Sequence, residues 1–300
     1  MALGAAMLLV VMLVVLHVQK GQSPADQLAF KAKRVDLVER MRLALASASE
    51  AEKSAVMAIT DEDSQKFADQ ARTATAEVDQ EGKELGDLLQ VGGTANEKEL
   101  LSQFFKIFAE FQGIDRELLA LAVKNTNLKA YSLAFGPAAD ALQKMDTALT
   151  SVVSKSAATP GAKGIALLAF GAETAALHIQ VLLAPHIAEE SDQKMDELEA
   201  RMAKEDQTVR EYLDGLARLS MFSGDADLAM ATSSYADFTK IRTQILALSR
   251  ENTNVRSLAI SLNQKRKVML LCQDALAALQ QAILQEHIDG VNYGPPSNPR

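Results

Sequence analysis

The chain has 300 residues, a formal net charge of −8 and a pI near 5.2, with 5% aromatic residues and no tryptophan. That length is a soft prior for two domains of about 150 residues each. The acidic balance, with no clustered Lys/Arg stripe, lacks the electrostatic footprint of a nucleic-acid binder. A single cysteine, Cys272, excludes an intrachain disulfide and a thiolate metal cage.

Residues 1–19 read MALGAAMLLVVMLVVLHVQ without one charge, and about 18 such residues suggest a spanning helix. A cleaved secretory signal wants a basic start and an A-x-A-like site; the next residues in this chain are KGQSPADQ. The expectation is an uncleaved transmembrane anchor in the inner membrane, with a signal peptide as the second reading. Lys20, Lys31, Lys33 and Arg34 all lie C-terminal to it, and positive-inside counting assigns that side to the cytoplasm. Orientation therefore stays open at this level.

Ala, Leu, Met, Gln, Glu and Lys abound, residues that lose little freedom in a helix, and the 7 prolines are sparse. The chain is expected to be all-α. Helices are predicted over about 24–58, 64–90 and 95–124, then a fourth to about 156 with a kink at Gly136-Pro137. SKSAATPGAKG is the one linker, centred on 158–164, and the pattern restarts over 165–190, 191–221, 225–251 and 255–287. The tail 289–300, rich in Gly, Pro and Asn, is expected to be disordered. Apolar positions step by threes and fours: 101, 104, 108, 111, 115, 118, 122, broken once by Asp115, and again from Met195 to Leu219. That is the seam of helices packed nearly antiparallel at about 20°.

One unit is written twice. FAEFQGIDRELLALAVKNTNL (108–128) matches YADFTKIRTQILALSRENTNV (235–255), and ITDEDSQKF (59–67) matches IAEESDQKM (187–195) at almost the same offset. The reading is an N-terminal transmembrane helix followed by two tandem up-down four-helix bundles, 20–157 and 165–288. The repeated Asn-Thr-Asn sits between helices. Asn tolerates the left-handed conformation at a helix end, and Asn or Thr caps the next helix. Asn125, Asn127, Asn252 and Asn254 are therefore read as inter-helix turns.

The membrane helix, the small-residue first helix LALASASEAEKSAVMAI and the ending ELLALAVKNTN, in that order and spacing, resemble the four-helix-bundle sensor domain of methyl-accepting chemotaxis proteins. The resemblance covers about 20–156 and, more weakly, 165–287. It implies a signal-transduction module outside the cytoplasm (periplasmic) that binds a small carboxylate or amino acid, or a receptor or other envelope protein. It also implies pairing as a homodimer or, with two copies in one chain, as an intrachain pseudo-dimer. The chain departs from a complete transducer in carrying no second span with a linker domain and no methylated helical hairpin. Helix 165–187 carries Glu173, His178, Gln180 and His186 in a run otherwise apolar nearly all round, which reads as a buried helix between the two bundles rather than a span.

Chemistry is thin. There is no phosphate loop and no nucleophile elbow. His17, His178, His186 and His287 are scattered, and no Glu-x-x-His pair exists for a di-iron site. His186 with Glu189 and Glu190 supplies one turn of ligands, too few for a metal shell. Cys272, in KVMLLCQDALAAL, reads as a buried small hydrophobe. No catalytic residue, metal or cofactor is expected. Ligand contacts, if basic, fall at the bundle ends on Arg116, Lys124 and Lys129 and their second-copy counterparts Arg242, Arg250 and Arg256, since arginine suits bidentate carboxylate recognition. The rival class is a structural helical spacer or protein-interaction module in the envelope, without a small-molecule ligand.

Overall fold

Helix starts in this chain are encoded by short polar side chains. Ser23 pairs with Asp26, Thr60 with Asp63, and Thr94 with Glu97; the Asp63 and Glu97 amides donate to the threonine hydroxyls at 3.1 and 3.2 Å. The Glu97 carboxylate accepts the Thr94 amide in return, completing a capping box. Ser191 and Asp225 cap the same way by accepting from the first amides of the following turns.

The computed structural model describes residues 23–288. The expected anchor (1–19) and disordered tail (289–300) lie outside the described residues. Among them every regular element is helical: α1 Pro24–Met57, α2 Asp61–Gly92, α3 Ala95–Ala122, α4 Thr126–Phe135, α5 Pro137–Ser156, α6 Ala162–Ala188, α7 Asp192–Ala217, α8 Ala226–Glu251, α9 Thr253–Ile260 and α10 Arg266–Gln285. A 3-10 turn covers Ser220–Phe222, and a π-turn, Ser261–Lys265, joins α9 to α10. The all-α expectation holds. Gly136-Pro137, expected to kink one helix, separates α4 from α5, with proline at the first position of α5 where its missing N–H costs nothing.

Two compact units form, and their membership corrects the contiguous ranges expected. Within the described residues the first comprises 23–54, 67–116 and 263–288, and the second 55–66 and 117–262. The second half's last helix, α10, thus shares a core with α1–α3, while α4–α5 of the first half share one with α6–α8. The duplicated halves have exchanged their fourth helices. Periodicity cannot distinguish the two arrangements, because both fourth helices carry an apolar stripe of the same period.

The first unit's core holds Leu37, Met41 and Leu45 of α1, Val78, Leu85 and Leu89 of α2, and Cys272, Leu276 and Leu279 of α10. Phe104, Phe108 and Phe111 of α3 stack along it at centroid spacings of 5.4 and 5.7 Å. The second unit's core mixes alanines, among them Ala130, Ala134 and Ala138 with Ala169, Ala172 and Ala176 of α6, with larger side chains such as Leu149, Ile179, Leu183, Met202 and Phe238. Close approach is explicit at Gly171, where an added Cβ would stand 2.7 Å from the Tyr212 ring.

Helix α6 is two-faced. Ile165, Ala172, Ile179 and Leu183 are buried, whereas Leu167, Phe170, Leu177 and Val181 are 65, 52, 47 and 70% exposed. A helix covered nearly all round was expected here; its outer apolar face is open instead. By length and composition, α6 and the stretch Ala226–Gln285 are long and apolar enough to cross a membrane. The buried Ala face of α6 makes it a core helix of the second unit.

Candidate functional site

The Asn-Thr-Asn turns are built into one another. Asn125 and Asn252 both adopt the left-handed conformation, with φ of 51° and 53°, which frees the first amides of α4 and α9 from any cap within their own turn. Each turn caps the other. The Thr126 amide donates to Thr253 Oγ1 at 3.2 Å and the Thr253 amide to Thr126 Oγ1 at 3.1 Å. The Asn127 and Asn254 amides donate to each other's Oδ1, both at 3.1 Å. Asn127 Nδ2 then reaches Asn252 Oδ1, and Asn254 Nδ2 reaches Asn125 Oδ1. The outer donors close neighbouring helix ends: Asn127 Nδ2 on the Ile187 carbonyl, Asn252 Nδ2 on that of Glu189, and Asn125 Nδ2 on Asp61. This is a local twofold arrangement in which residue i of one repeat meets its own counterpart, the signature of an isologous interface. Its donors are spent on the protein itself, so its chemistry is that of a lock.

Beside it sits a second polar group that the sequence did not reveal. His186, fully buried at the end of α6, has Nδ1 2.8 Å from Ser249 Oγ and Nε2 2.9 Å from Glu199 Oε1. Glu199 also accepts from Arg250 Nε at 2.8 Å, and the Arg250 guanidinium extends to Asp196. The Arg250 charge holds the Glu199 carboxyl below its usual range, against the pull of burial, with His186 assisting. Ser–His–Glu in a row resembles a hydrolytic triad in connectivity. Here both Ser249 and His186 have no exposed surface, and Ser249 Oγ lies 3.0 Å from the His186 carbonyl, so the group ties α6, α7 and α8 together. The sequence set His186 beside Glu189 and Glu190 as one turn too small for a metal shell; the carboxylate it meets is Glu199 of α7.

The six basic residues singled out from the sequence are dispersed. Lys129 binds Asp61 at 2.8 Å, and Lys124 faces Glu251 at 3.6 Å, both next to the paired turns. Arg250 belongs to the His186 group. Arg242 lies further along α8, 3.1 Å from Asp206, which also accepts from Arg210 and from the Tyr235 hydroxyl. Arg116 and Arg256 are exposed, and Arg116 belongs to the first unit. Four of the six guanidinium and ammonium groups thus already hold carboxylates of the chain. A carboxylate ligand would have to displace them.

The first unit buries charge instead. Lys265, last residue of the π-turn, pairs with Asp115 of α3, and its Nζ stands 3.3 Å from the centroid of the Phe111 ring. Glu52 of α1, also buried, adds a carboxylate whose charge acts on the same ammonium. Burial depresses the Lys265 pKa, and Asp115 opposes that. At the other end of this unit Arg34 joins Glu97 at 2.7 Å and also reaches Glu286, while Lys31 caps the Leu284 and Glu286 carbonyls at 2.7 Å. Asp115 was visible in the sequence as the one break in an apolar stripe; its partner, 150 positions away, was not.

One open concavity combines apolar walls with paired carboxyls and an unpartnered amide oxygen. It is a groove of about 280 Å³ in the second unit, between α5 (Leu142, Met145, Asp146) and α6 (Glu173, Leu177, Gln180). The α5–α6 positions recur at i, i+3, i+4 and i+7, one face of each helix. Gln180 is fixed by the α4–α5 break: its Nε2 donates at 2.6 Å to the carbonyl of Ala134, near the end of α4. That bond sets the amide's orientation and leaves Oε1 buried with no hydrogen-bond partner. Burial raises the Glu173 pKa, and Asp146, by charge and hydrogen bond, raises it further. Among the described residues no group of three or more His, Cys, Asp or Glu side chains is disposed to hold a metal ion. No protein-family model matches the chain, and no curated protein sequence matches it.

Proposed function

We propose that the protein is a non-enzymatic sensory module of chemoreceptor type: two four-helix bundles, held outside the cytoplasm by an anchor at residues 1–19, of which the second binds a small molecule between helices. The α5–α6 groove carries this reading. It is lined by apolar side chains and a few polar groups, among them the unpartnered Gln180 Oε1, the general anatomy of a ligand site. Occupancy would press on α6, whose end is tied into the Asn-Thr-Asn lock through the Ile187 carbonyl. A ligand with different affinity for two settings of that helix shifts the balance between them. The core of each unit, drawn from helices of both halves, supports the bundle reading.

The test is a thermal-shift screen of the full chain against small metabolites. A ligand that binds the folded state alone raises the midpoint by mass action. A flat screen across chemical classes overturns the sensory reading. A C-terminal reporter fusion checks the topology; cytoplasmic activity refutes it. The open apolar face of α6, Leu167 to Val181, favours a second reading, an envelope spacer or interaction module that docks a partner helix. Flat screens together with capture of a defined envelope partner, lost on Phe170→Ser, would support it.

A further inference from the structure

We infer that the α5–α6 groove is a site for an organic cation: a primary ammonium carrying a short aliphatic chain, held by Asp146, Glu173 and Gln180 Oε1 with the chain on Leu142, Met145 and Leu177. The inference rests on the ligand-binding reading above and names its ligand class, which differs from the carboxylate that the sequence suggested.

Three observations converge. The polar lining holds the Asp146 and Glu173 carboxyls, the Gln180 carbonyl oxygen and, at the exposed rim, the Gln143 amide, with no basic side chain on the groove. The nearest lysine along α5, Lys144, lines the neighbouring concavities towards α8. Gln180 Oε1 is buried and unpaired while its amide nitrogen is committed to Ala134. A buried acceptor without a donor is costly, and native structures keep few of them. An ammonium has three donors and no acceptor, so one such group would satisfy the carbonyl and both carboxyls together. The remaining walls are apolar, and they distinguish an alkylammonium from a hydrated divalent ion. Calcium wants about six to eight oxygens, and the groove offers those of two carboxyls and two amides.

Burial raises the Glu173 pKa, and the Asp146 carboxyl beside it raises it further. A bound ammonium reverses that relation, since an opposite charge close by favours the ionised form. The two acids are half-buried, close enough to the surface for a ligand to reach them without opening the core.

The experiment uses the full chain and n-pentylammonium as the probe, with pentanoate, 1-pentanol and calcium as matched controls, read by calorimetric titration and by midpoint shift. Pentylammonium is expected to bind and raise the midpoint, and the three controls are not. Glu173→Gln and Asp146→Asn keep side-chain volume and should each weaken binding at least tenfold, with unchanged helical circular dichroism. Equal response to pentanol or pentanoate overturns the assignment, as does calcium binding in place of the amine or unaltered affinity in both variants. A carboxylate or neutral ligand found in the broader screen leaves the sensory function standing and removes this assignment alone. Silence towards every class removes both.

Discussion

The two units answer the same three–four stepping of apolar residues with opposite core chemistries. The first is filled by bulk, the Phe104–Phe108–Phe111 stack and long aliphatics, and tolerates ions inside, Lys265 with Asp115 and Arg34 with Glu97. The second is richer in alanine, interleaved with Leu, Ile and Met, and its buried polar groups are mostly neutral: Asn125, Thr126, Asn127, Asn252, Thr253, Ser249 and His186. Helix spacing depends on the side chains at the contact, so the aromatic contact of α3 leaves room for Lys265 to meet Asp115, while alanine-lined contacts bring helix ends close enough to cap one another. A repeated pattern of apolar positions therefore fixes how helices face each other, and the size of the residues within it decides what kind of polar group can be buried beside them.

The sharpest way to break that contrast is to strand a charge in the first unit. Lys265→Met leaves Asp115 buried without its ammonium and should cost about 3–5 kcal/mol. The double variant Asp115→Leu with Lys265→Met should recover part of that loss, because it removes the Asp115 desolvation cost while buried Glu52 still loses the attraction of the ammonium. Cys272 reports the result. Burial pushes its thiol up to about 12, so thiol labelling at pH 8 requires opening of the first unit and should accelerate in the single variant far more than in the double. Equal labelling rates would show that the ion pair is not what the core depends on.

Core volume comes next, and the sign of the favoured change should differ between units. Phe108→Ala removes the middle ring of the stack and should cost about 3–5 kcal/mol through the cavity it leaves. In the second unit enlargement is the damaging direction: Ala172→Leu, at a fully buried position of α6, should cost about 1–3 kcal/mol through overpacking. Urea unfolding of both variants tests this. A neutral Ala172→Leu would mean that the alanine core holds slack.

Smaller still is the lock. Thr126→Val and Thr253→Val each remove one hydroxyl and leave the partner's amide uncapped, at about 1 kcal/mol apiece. The two hydroxyls lie 3.2 Å apart and serve each other's amides, so the double variant should lose measurably less or more than the sum, by about 0.5 kcal/mol or beyond. Strict additivity would contradict reciprocal capping.

These effects also mark what could be read from the residues alone. Helix content, the break at Gly136-Pro137 and the doubling followed from composition, proline chemistry and a recurring triplet. The pairing of the two triplets did not, because a cap in the sequence reads as capping its own helix, while Asn125 and Asn252 in the left-handed conformation hand that task across. The helix exchange was hidden for a related reason: α5 and α10 have interchangeable stripes, and only three-dimensional closure selects between them. In the groove, Glu173 and Gln180 stood out as polar interruptions of an apolar run, yet Asp146 on another helix and the carbonyl freed near Pro137 carried no local signal. Pairings across 27 to 150 positions, such as Asp146 with Glu173 and Asp115 with Lys265, are set by packing.

The weakest but most discriminating effect concerns acid. In the second unit Arg250, opposing burial, holds the Glu199 carboxyl below its ordinary value. For Asp206 burial acts against ionisation, but Arg210, Tyr235 and Arg242 prevail and its pKa is lowered too. A depressed carboxyl contributes stability that is complete above its unfolded pKa of about 4 and vanishes as pH falls through the folded value. Glu97 in the first unit behaves oppositely: burial, with Glu286 adding, raises its pKa against the attraction of Arg34. Its folded form binds the proton more readily than the unfolded form, so lowering pH through that raised value relieves a cost. The exposed Lys33–Glu84 pair shares the second unit's sign, but solvent-exposed pairs contribute little. Mild acid should therefore loosen α7 and α8 before the start of α3. Amide hydrogen exchange at stepped pH values reads both regions in one sample, and protection lost first around Glu97 would reverse the assignment of which unit yields to protons.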